Sequence, residues 1–213
     1  RDITVGTSLY GSTYFTAYGT EMKIYGDLTG FYCSGNRGKI TALDPSHNTQ
    51  LKWLYCYNNQ LSSLDVSHNT QLEQLYCSNN NLTSLDLSHN TQLKQLYCEG
   101  NNFSTDALDD IYCTLPLRKA SDHAVIYPIY SDSSSDHATV IATNAQNATD
   151  KNWKVKYYRD GTDIPTTGSY VCSDLEIAGV QVISANCSDL SVISGVTGTV
   201  NYDPTNKVLT LEN

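Results

Sequence analysis

Leu51–Gln71 reads LKWLYCYNNQLSSLDVSHNTQ, and Leu72–Gln92 reads LEQLYCSNNNLTSLDLSHNTQ. The two stretches align without a gap, so the chain repeats itself at a period of 21 residues. A third copy opens at Leu93 with LKQLYCEGNNFS and then breaks. An earlier, degenerate copy runs from Leu28 to Gln50 as LTGFYCSGNRGKITALDPSHNTQ, with Arg37-Gly38-Lys39 in the place of one residue. Roughly three and a half coils follow, close to the minimum of about three that stacked repeats need to bury a shared core.

The period dictates the local structure. Each unit carries LxxLxCxxNxL, for example at Leu51, Leu54, Cys56, Asn59 and Leu61. Around Leu54-Tyr55-Cys56 the alternation is that of a strand, so Leu54 and Cys56 point inward while Trp53, Tyr55 and Tyr57 point outward. Stacked coils place such strands about 4.8 Å apart in a parallel sheet. Cys33, Cys56, Cys77 and Cys98 then form one inward ladder. Asn36, Asn59, Asn80 and Asn101 form another at the turn, where side-chain amides satisfy backbone groups that a tight bend leaves unpaired. Leu61 and Leu64 begin the return run that closes the coil.

This pattern resembles the leucine-rich-repeat consensus, with cysteine at one of the apolar positions. In its NNQL turn and its LTSLDLSHNTQLKQLYC run (Leu82–Cys98) the chain resembles bacterial cell-surface leucine-rich-repeat proteins of internalin-like, Bacteroidetes type. The resemblance covers residues 28–102, and more loosely 103–158, which are similar to the C-terminal cap that follows such repeats. It implies a leucine-rich-repeat solenoid, with few helices and a mixed α/β C-terminal cap. It also implies a secreted or cell-surface protein (outer membrane, extracellular side) with an interaction role in adhesion, and brings no catalytic residue and no cofactor.

Composition agrees with an exported binding protein. The chain is 39% hydrophobic, only 16% charged and carries a net charge of −9, which argues against nucleic acid and anionic membrane surfaces as partners. Tyrosine is heavily used, 16 residues against 3 Phe and 2 Trp, and offers an apolar body with a polar tip suited to contact surfaces. No stretch approaches the roughly 20 apolar residues of a membrane-spanning helix. Arg1 reads as the start of a trimmed or mature fragment without its signal segment. Glu212-Asn213 follows directly on an apolar alternation, so the full protein is expected to continue.

Four segments are expected. Residues 1–27 alternate β-formers with Gly, Ser and Thr and read as an N-terminal β cap; 28–102 are the repeats. In the cap at 103–158, Ser104-Thr105-Asp106 starts a helix over ALDDIYCTL that stops near Pro116. There Ala124–Tyr130 is a strand, Ser133–Asp136 caps a helix of about ten residues over HATVIATNAQ, and WKVKYY is a further strand. That order extends the sheet in parallel and closes its edge. Residues 159–213 are a turn-rich linker at Arg159–Gly168 followed by a small β-rich segment, with a hairpin at Val200–Asp203 and Lys207–Leu211.

Several patterns have a sharp and a plain reading. The cysteine ladder repeats with the coil and lacks the paired spacing of a zinc site, so each Cys reads as a small inward hydrophobe. Cys113 is expected in the core. Cys172 and Cys187 either pair in an oxidising compartment or stay free. Asp44, Asp65 and Asp86 recur with Ser46, Ser67 and Ser88 and with His47, His68 and His89, which invites a catalytic triad. A triad needs one uniquely preorganised set, whereas this one appears three times, and turn hydrogen bonding accounts for it. Asp122, His123, Asp136 and His137 are the only unrepeated catalytic candidates, and their loop and helix-start positions have a simpler explanation.

The outward residues are the candidate site. Tyr32, Tyr55, Tyr76 and Tyr97 form a column, flanked by Trp53, Gln74 and Gln95 on one side and by Ser34, Tyr57, Ser78 and Glu99 on the other. This sheet is expected to line the concave face, where partners of solenoids bind. Its aromatics suit a protein hot spot or a stacked sugar ring, and equally could serve only cross-strand packing. The expectation is a non-enzymatic, monomeric binding module without metal or cofactor, whose ligand is a protein or alternatively a glycan, with a surface spacer as the remaining reading.

Overall fold

The computed structural model describes residues 27–34 and 40–172. It also gives the strand backbone at 3–4, 24–25, 176–177, 180–181, 199–203 and 208–212. Strands β1 (Ile3–Thr4) and β2 (Ile24–Tyr25) pair in parallel; the rest of the expected N-terminal cap, and Asn36 with its turn, lie outside the described residues.

One six-stranded parallel sheet organises the described chain. Its strands are β3 (Gly30–Tyr32), β4 (Trp53–Tyr55), β5 (Gln74–Tyr76), β6 (Gln95–Tyr97), β7 (Val125–Ile129) and β8 (Lys154–Tyr157), in that spatial order. The register carries the repeat through: Leu54, Leu75, Leu96, Ile126 and Val155 are successive partners, and all five are buried. Strands of the repeats stop after three residues because the chain then turns through a left-handed residue, Asn58 (φ 56°), Asn79 (φ 52°) and Gly100 (φ 69°) at equivalent positions. Asparagine and glycine are the residues that adopt this conformation at least cost.

Inside the coils, Leu51, Leu72 and Leu93 stack with Leu61 and Leu82, Leu64 and Leu85, and Val66 and Leu87 in one core with Cys33, Cys56, Cys77 and Cys98. Each such aliphatic side chain contributes about 1.5–3 kcal/mol on burial. The turn is held by the expected asparagines. Asn80 Nδ2 donates to Cys56 O at 3.1 Å and Cys77 O at 2.9 Å, while its Oδ1 accepts from Leu61 N at 3.0 Å. Asn59 and Asn101 make the same set one coil either way. A second ladder closes the other end of the coil: Asn69 Nδ2 donates to Pro45 O and Asn48 O, and Asn90 Nδ2 to Val66 O and Asn69 O.

After the repeats, α1 (Thr105–Thr114) starts at Ser104, whose Oγ accepts from Ala107 N at 3.1 Å, and packs Leu108, Ile111 and Tyr112 against the last coil. A single 3₁₀ turn (Ala120–Asp122) leads into β7. The single helix expected over HATVIATNAQ is instead two short ones, α2 (His137–Ile141) and α3 (Gln146–Thr149). The physical reason is competition for carbonyls. Thr143 Oγ1 bonds back to Val140 O at 2.6 Å, and Ile141 O and Thr143 O accept from Thr167 N and Gly168 N rather than from the next turn of a helix.

Those last contacts also correct the reading of Arg159–Gly168 as a linker. From Thr162 the chain returns along β8, with Ile164 N on Val155 O at 3.1 Å and Lys156 paired to Asp163 at 2.8 Å, and then crosses the α2–α3 loop. Asn144 and Asn147 both donate to Tyr170 O, at 2.6 and 2.9 Å. Gly168 is obligatory here, since a Cβ would run into the backbone of Ala142 and Thr143. The strap ends in a disulfide between Cys113 and Cys172, whose Cα atoms lie 5.4 Å apart. Cys113 is buried, as expected, and is disulfide-bonded as well, while Cys172 does not pair with Cys187: the last turn of α1 faces the end of the strap, an adjacency across 59 residues that cysteine spacing does not reveal. Cys187 lies outside the described residues. Farther on, β9 (Glu176–Ile177) pairs with β10 (Val180–Gln181), and β11 (Thr199–Asp203) with β12 (Val208–Glu212), both antiparallel, the latter at the expected hairpin.

Candidate binding face

The outward side chains of the sheet make one column of tyrosine rings. Centroids are 4.6 Å apart from Tyr32 to Tyr55, 4.1 Å to Tyr76, 3.9 Å to Tyr97 and 4.7 Å to Tyr127. Tyr55 and Tyr76 lie within 7° of parallel. Parallel in-register strands bring identical residues to strand spacing, so a tyrosine repeated every 21 residues has to stack on itself. Hydroxyls tie the column sideways: Tyr76 donates to Gln95 Oε1 at 3.0 Å, and Tyr55 donates to Gln74 Oε1. Burial, followed by the neighbouring rings, holds the hydroxyls of Tyr55 and Tyr76 above the usual tyrosine range, and burial does the same for Tyr97. All three remain neutral donors near neutral pH.

The predicted residues divide by exposure. Tyr32 is 60% exposed, whereas Trp53, Tyr55, Tyr57, Gln74, Tyr76, Gln95 and Tyr97 are half-buried. Ser78 and Glu99, outward by alternation, are buried. Three tyrosines that the repeat does not contain complete the face. Tyr127 continues the column, and Tyr158 and Tyr130 stand beside it. The signal for Tyr127 is present in the sequence, since Val125-Ile126-Tyr127 copies the Gln95-Leu96-Tyr97 pattern, but no cysteine or asparagine follows to mark it as a coil. Tyr130 and Tyr158 have no such signal.

Most of the other candidates have structural partners. Asp44, Asp65 and Asp86 accept from the backbone N–H of Ser46, Ser67 and Ser88 at 2.9–3.0 Å, and each of these serines meets the Nδ1 of the next histidine at 3.0–3.1 Å. A catalytic triad puts the imidazole between hydroxyl and carboxylate; here the serine stands between, and the set closes a turn three times over. Asp122 accepts from Lys119 N and pairs with Arg118, and His137 Nε2 meets the Tyr157 hydroxyl at 2.8 Å. The cleft that Asp122 borders is lined by Gln92, Lys94, Leu117, Arg118 and Lys119, none of them a histidine, serine or cysteine. Burial pushes the Cys33 thiol up to about 12 and those of Cys56, Cys77 and Cys98 well above the usual range. They stay protonated, while the thiolate is the form that binds metals and attacks disulfides. Among the described residues no group of three or more His, Cys, Asp or Glu is placed to hold a metal ion.

Residues 49–86 and 70–112 match the sequence family described as Leucine Rich repeats (2 copies). With the six parallel strands and their buried leucines, this decides the architecture. The fold is a leucine-rich-repeat solenoid. Among solved structures, the solenoid is similar to the functional domain of InlJ from Listeria monocytogenes, described as including a cysteine ladder. That likeness is 27% identical, covers 62% of this chain and 32% of the other, and has a TM-score of 0.37. An internalin (inlF) from Listeria monocytogenes is similar at 18% identity over 61% of this chain and 43% of its own, with a TM-score of 0.35. The chain thus spans about a third of the first and under half of the second. No curated protein matches the chain. No helix of the described residues is long and apolar enough to cross a membrane.

Proposed function

We propose that the solenoid is a non-enzymatic adhesion module of an exported bacterial cell-surface protein, binding a protein partner through the concave, tyrosine-lined face of its repeats. The observation that carries this reading is the unbroken column Tyr32–Tyr55–Tyr76–Tyr97–Tyr127, which sets a continuous aromatic surface across five adjacent strands. Rigid tyrosines with hydroxyl tips are frequent anchors of protein interfaces. The stacking itself favours a protein over the alternative, a glycan. A sugar ring packs on a free aromatic face, and in this column each inner ring has its faces covered by its neighbours. What the column offers outward is ring edges, hydroxyls and the amides of Gln74 and Gln95. Export is supported by the Cys113–Cys172 disulfide, since such bonds persist in oxidising compartments.

The test is a screen of the folded chain against extracellular-matrix proteins and a glycan array, beside a variant with Tyr55, Tyr76 and Tyr97 changed to Ser. Protein binding that the variant loses is the expected result. Binding to glycans alone would move the ligand to the second class, and binding that survives the triple change would move the site off this face. A chain that binds nothing on either panel would favour the spacer reading.

A further inference from the structure

The cleft beside Asp122 opens at the N-terminal edge of the sheet. Lys94, in its lining, is the residue before Gln95 at the start of β6, and the rest of the lining is Gln92 and the chain between α1 and β7. Bonds from distant segments pin that chain. Trp153 Nε1 donates to Pro116 O at 2.8 Å, Asn152 Nδ2 to Arg118 O at 2.7 Å, and Arg118 N to Lys151 O at 3.0 Å. The Arg118 side chain is tethered as well, and only 14% of it is exposed. Its Nε donates to Leu117 O at 3.1 Å and stands 3.6 Å from Asp122 Oδ2, while Nη1 reaches Leu93 O at 3.5 Å. Nη2 has no hydrogen-bond partner among the described residues.

This cleft is a basic patch on an acidic chain. Lys94, Arg118 and Lys119 line it with a single carboxylate, Asp122, which leaves a charge of +2 there against −9 for the whole chain. Glu73 does not offset the excess, because it is shared between Lys94 at 3.6 Å and Lys52 at 4.0 Å. Charges farther off than about 8–10 Å are screened at physiological salt, so the local excess governs what docks in the cleft. Leu117 adds an apolar wall. At 69% it is the most exposed large apolar side chain among the described residues.

We propose that this cleft, of about 400 Å³, binds an acidic peptide segment, whose Glu or Asp carboxylate meets Arg118, Lys94 and Lys119 while a neighbouring apolar side chain covers Leu117. The guanidinium keeps one N–H of Nη1 and both of Nη2 for a carboxylate, the pair of donors that a planar acceptor matches. Because Arg118 is already tethered, it gives up little freedom on binding, a cost that a mobile surface arginine would still bear. Leu117 favours a peptide over a sugar acid, whose hydroxyls gain nothing from an aliphatic wall. The cleft shares no residue with the tyrosine column, so it stands or fails apart from the reading of that face.

The experiment is an NMR titration of the full chain, following the Leu117 methyl and Arg118 side-chain signals, with end-blocked GGEFGG, GGQFGG and GGEGGG and with glucuronic acid as probes. GGEFGG should move both signals and bind about ten-fold more tightly than GGQFGG, as one charge-assisted pair implies. It should also outbind GGEGGG by about three-fold through Leu117. Arg118→Gln should remove the preference for Glu. Since Arg118 also holds the cap to the last coil, the double variant Lys94→Gln, Lys119→Ser is the second reading, and should cut the preference to about three-fold or less. Lys154→Ser, which changes the charge at an exposed lysine outside the cleft, should keep it. Equal binding of the Glu and Gln peptides overturns the proposal, as does a full preference in the double lysine variant or an equal loss in Lys154→Ser. Glucuronic acid bound as tightly as GGEFGG overturns the peptide assignment in favour of a sugar acid.

Discussion

The side-chain amide of Asn80 reaches back 24 residues to the carbonyl of Cys56, at 3.1 Å, in the coil before its own. With its second bond to Cys77 O and the acceptor bond from Leu61 N, one buried residue satisfies backbone groups on two coils. The solenoid is therefore stitched by side chains where its backbone turns too sharply to pair with itself.

Asn80→Ala should cost about 3 kcal/mol or more, because two buried carbonyls and one N–H lose their partner together. Asn81→Ala, one residue on and exposed, should stay within about 0.5 kcal/mol. Urea denaturation of the two variants checks both, and similar losses in each would refute the ladder's role.

The four ladder thiols should resist alkylation. Burial keeps them protonated and covered, so iodoacetamide at pH 8 should leave Cys33, Cys56, Cys77 and Cys98 unmodified in the folded chain and label all four after denaturation. Peptide mass mapping reads the outcome; fast labelling of Cys77 in the native state would contradict the packing.

The disulfide should hold the strap. Cys172→Ser, or reduction of the wild type, is expected to lower stability by about 2–4 kcal/mol through the freed loop. Amide exchange should rise first along residues 162–172 and at the α2–α3 loop, with the repeats still protected. Uniform loosening of the repeats would place the effect elsewhere.

Asp109 makes stability pH-dependent. Burial, set against the bond from Asn144 N and aided by Asp106 and Asp110, raises its carboxyl from 3.8 to about 6. The folded state thus holds a proton that the unfolded state releases, so this contribution is complete below pH 3.8 and is lost as the pH rises through about 6. The shift corresponds to roughly 2–3 kcal/mol. Asp109→Asn should flatten the fall in denaturation midpoint between pH 4 and 7, and Glu99, raised by burial too, should contribute in the same direction. A fall of the same size in wild type and in Asp109→Asn would refute the assignment.

The repeat was legible because it is local. Leu51, Leu54, Cys56, Asn59 and Leu61 lie within one coil, and strand alternation is enough to say which face each takes. The column of Tyr32, Tyr55, Tyr76 and Tyr97 follows from it, since a fixed period in a parallel stack brings like onto like. The second asparagine ladder at Asn69 and Asn90 was equally periodic. It shares its turn with the recurring Asp, Ser and His, so its period alone does not separate a buried bridging amide from an exposed turn residue.

The sequence by itself determined the solenoid, its inward ladders and the first four rings of its outer face, all of which depend on spacing within about 21 residues. Tertiary structure alone decided the Cys113–Cys172 bond, the split of one expected helix into α2 and α3, the placing of Tyr130 and Tyr158 beside the column, and the burial of Glu99. Each of these joins segments that no period relates. Their adjacency is set by how the strap and β7 pack on the last coil, and packing across tens of residues leaves no mark in local spacing.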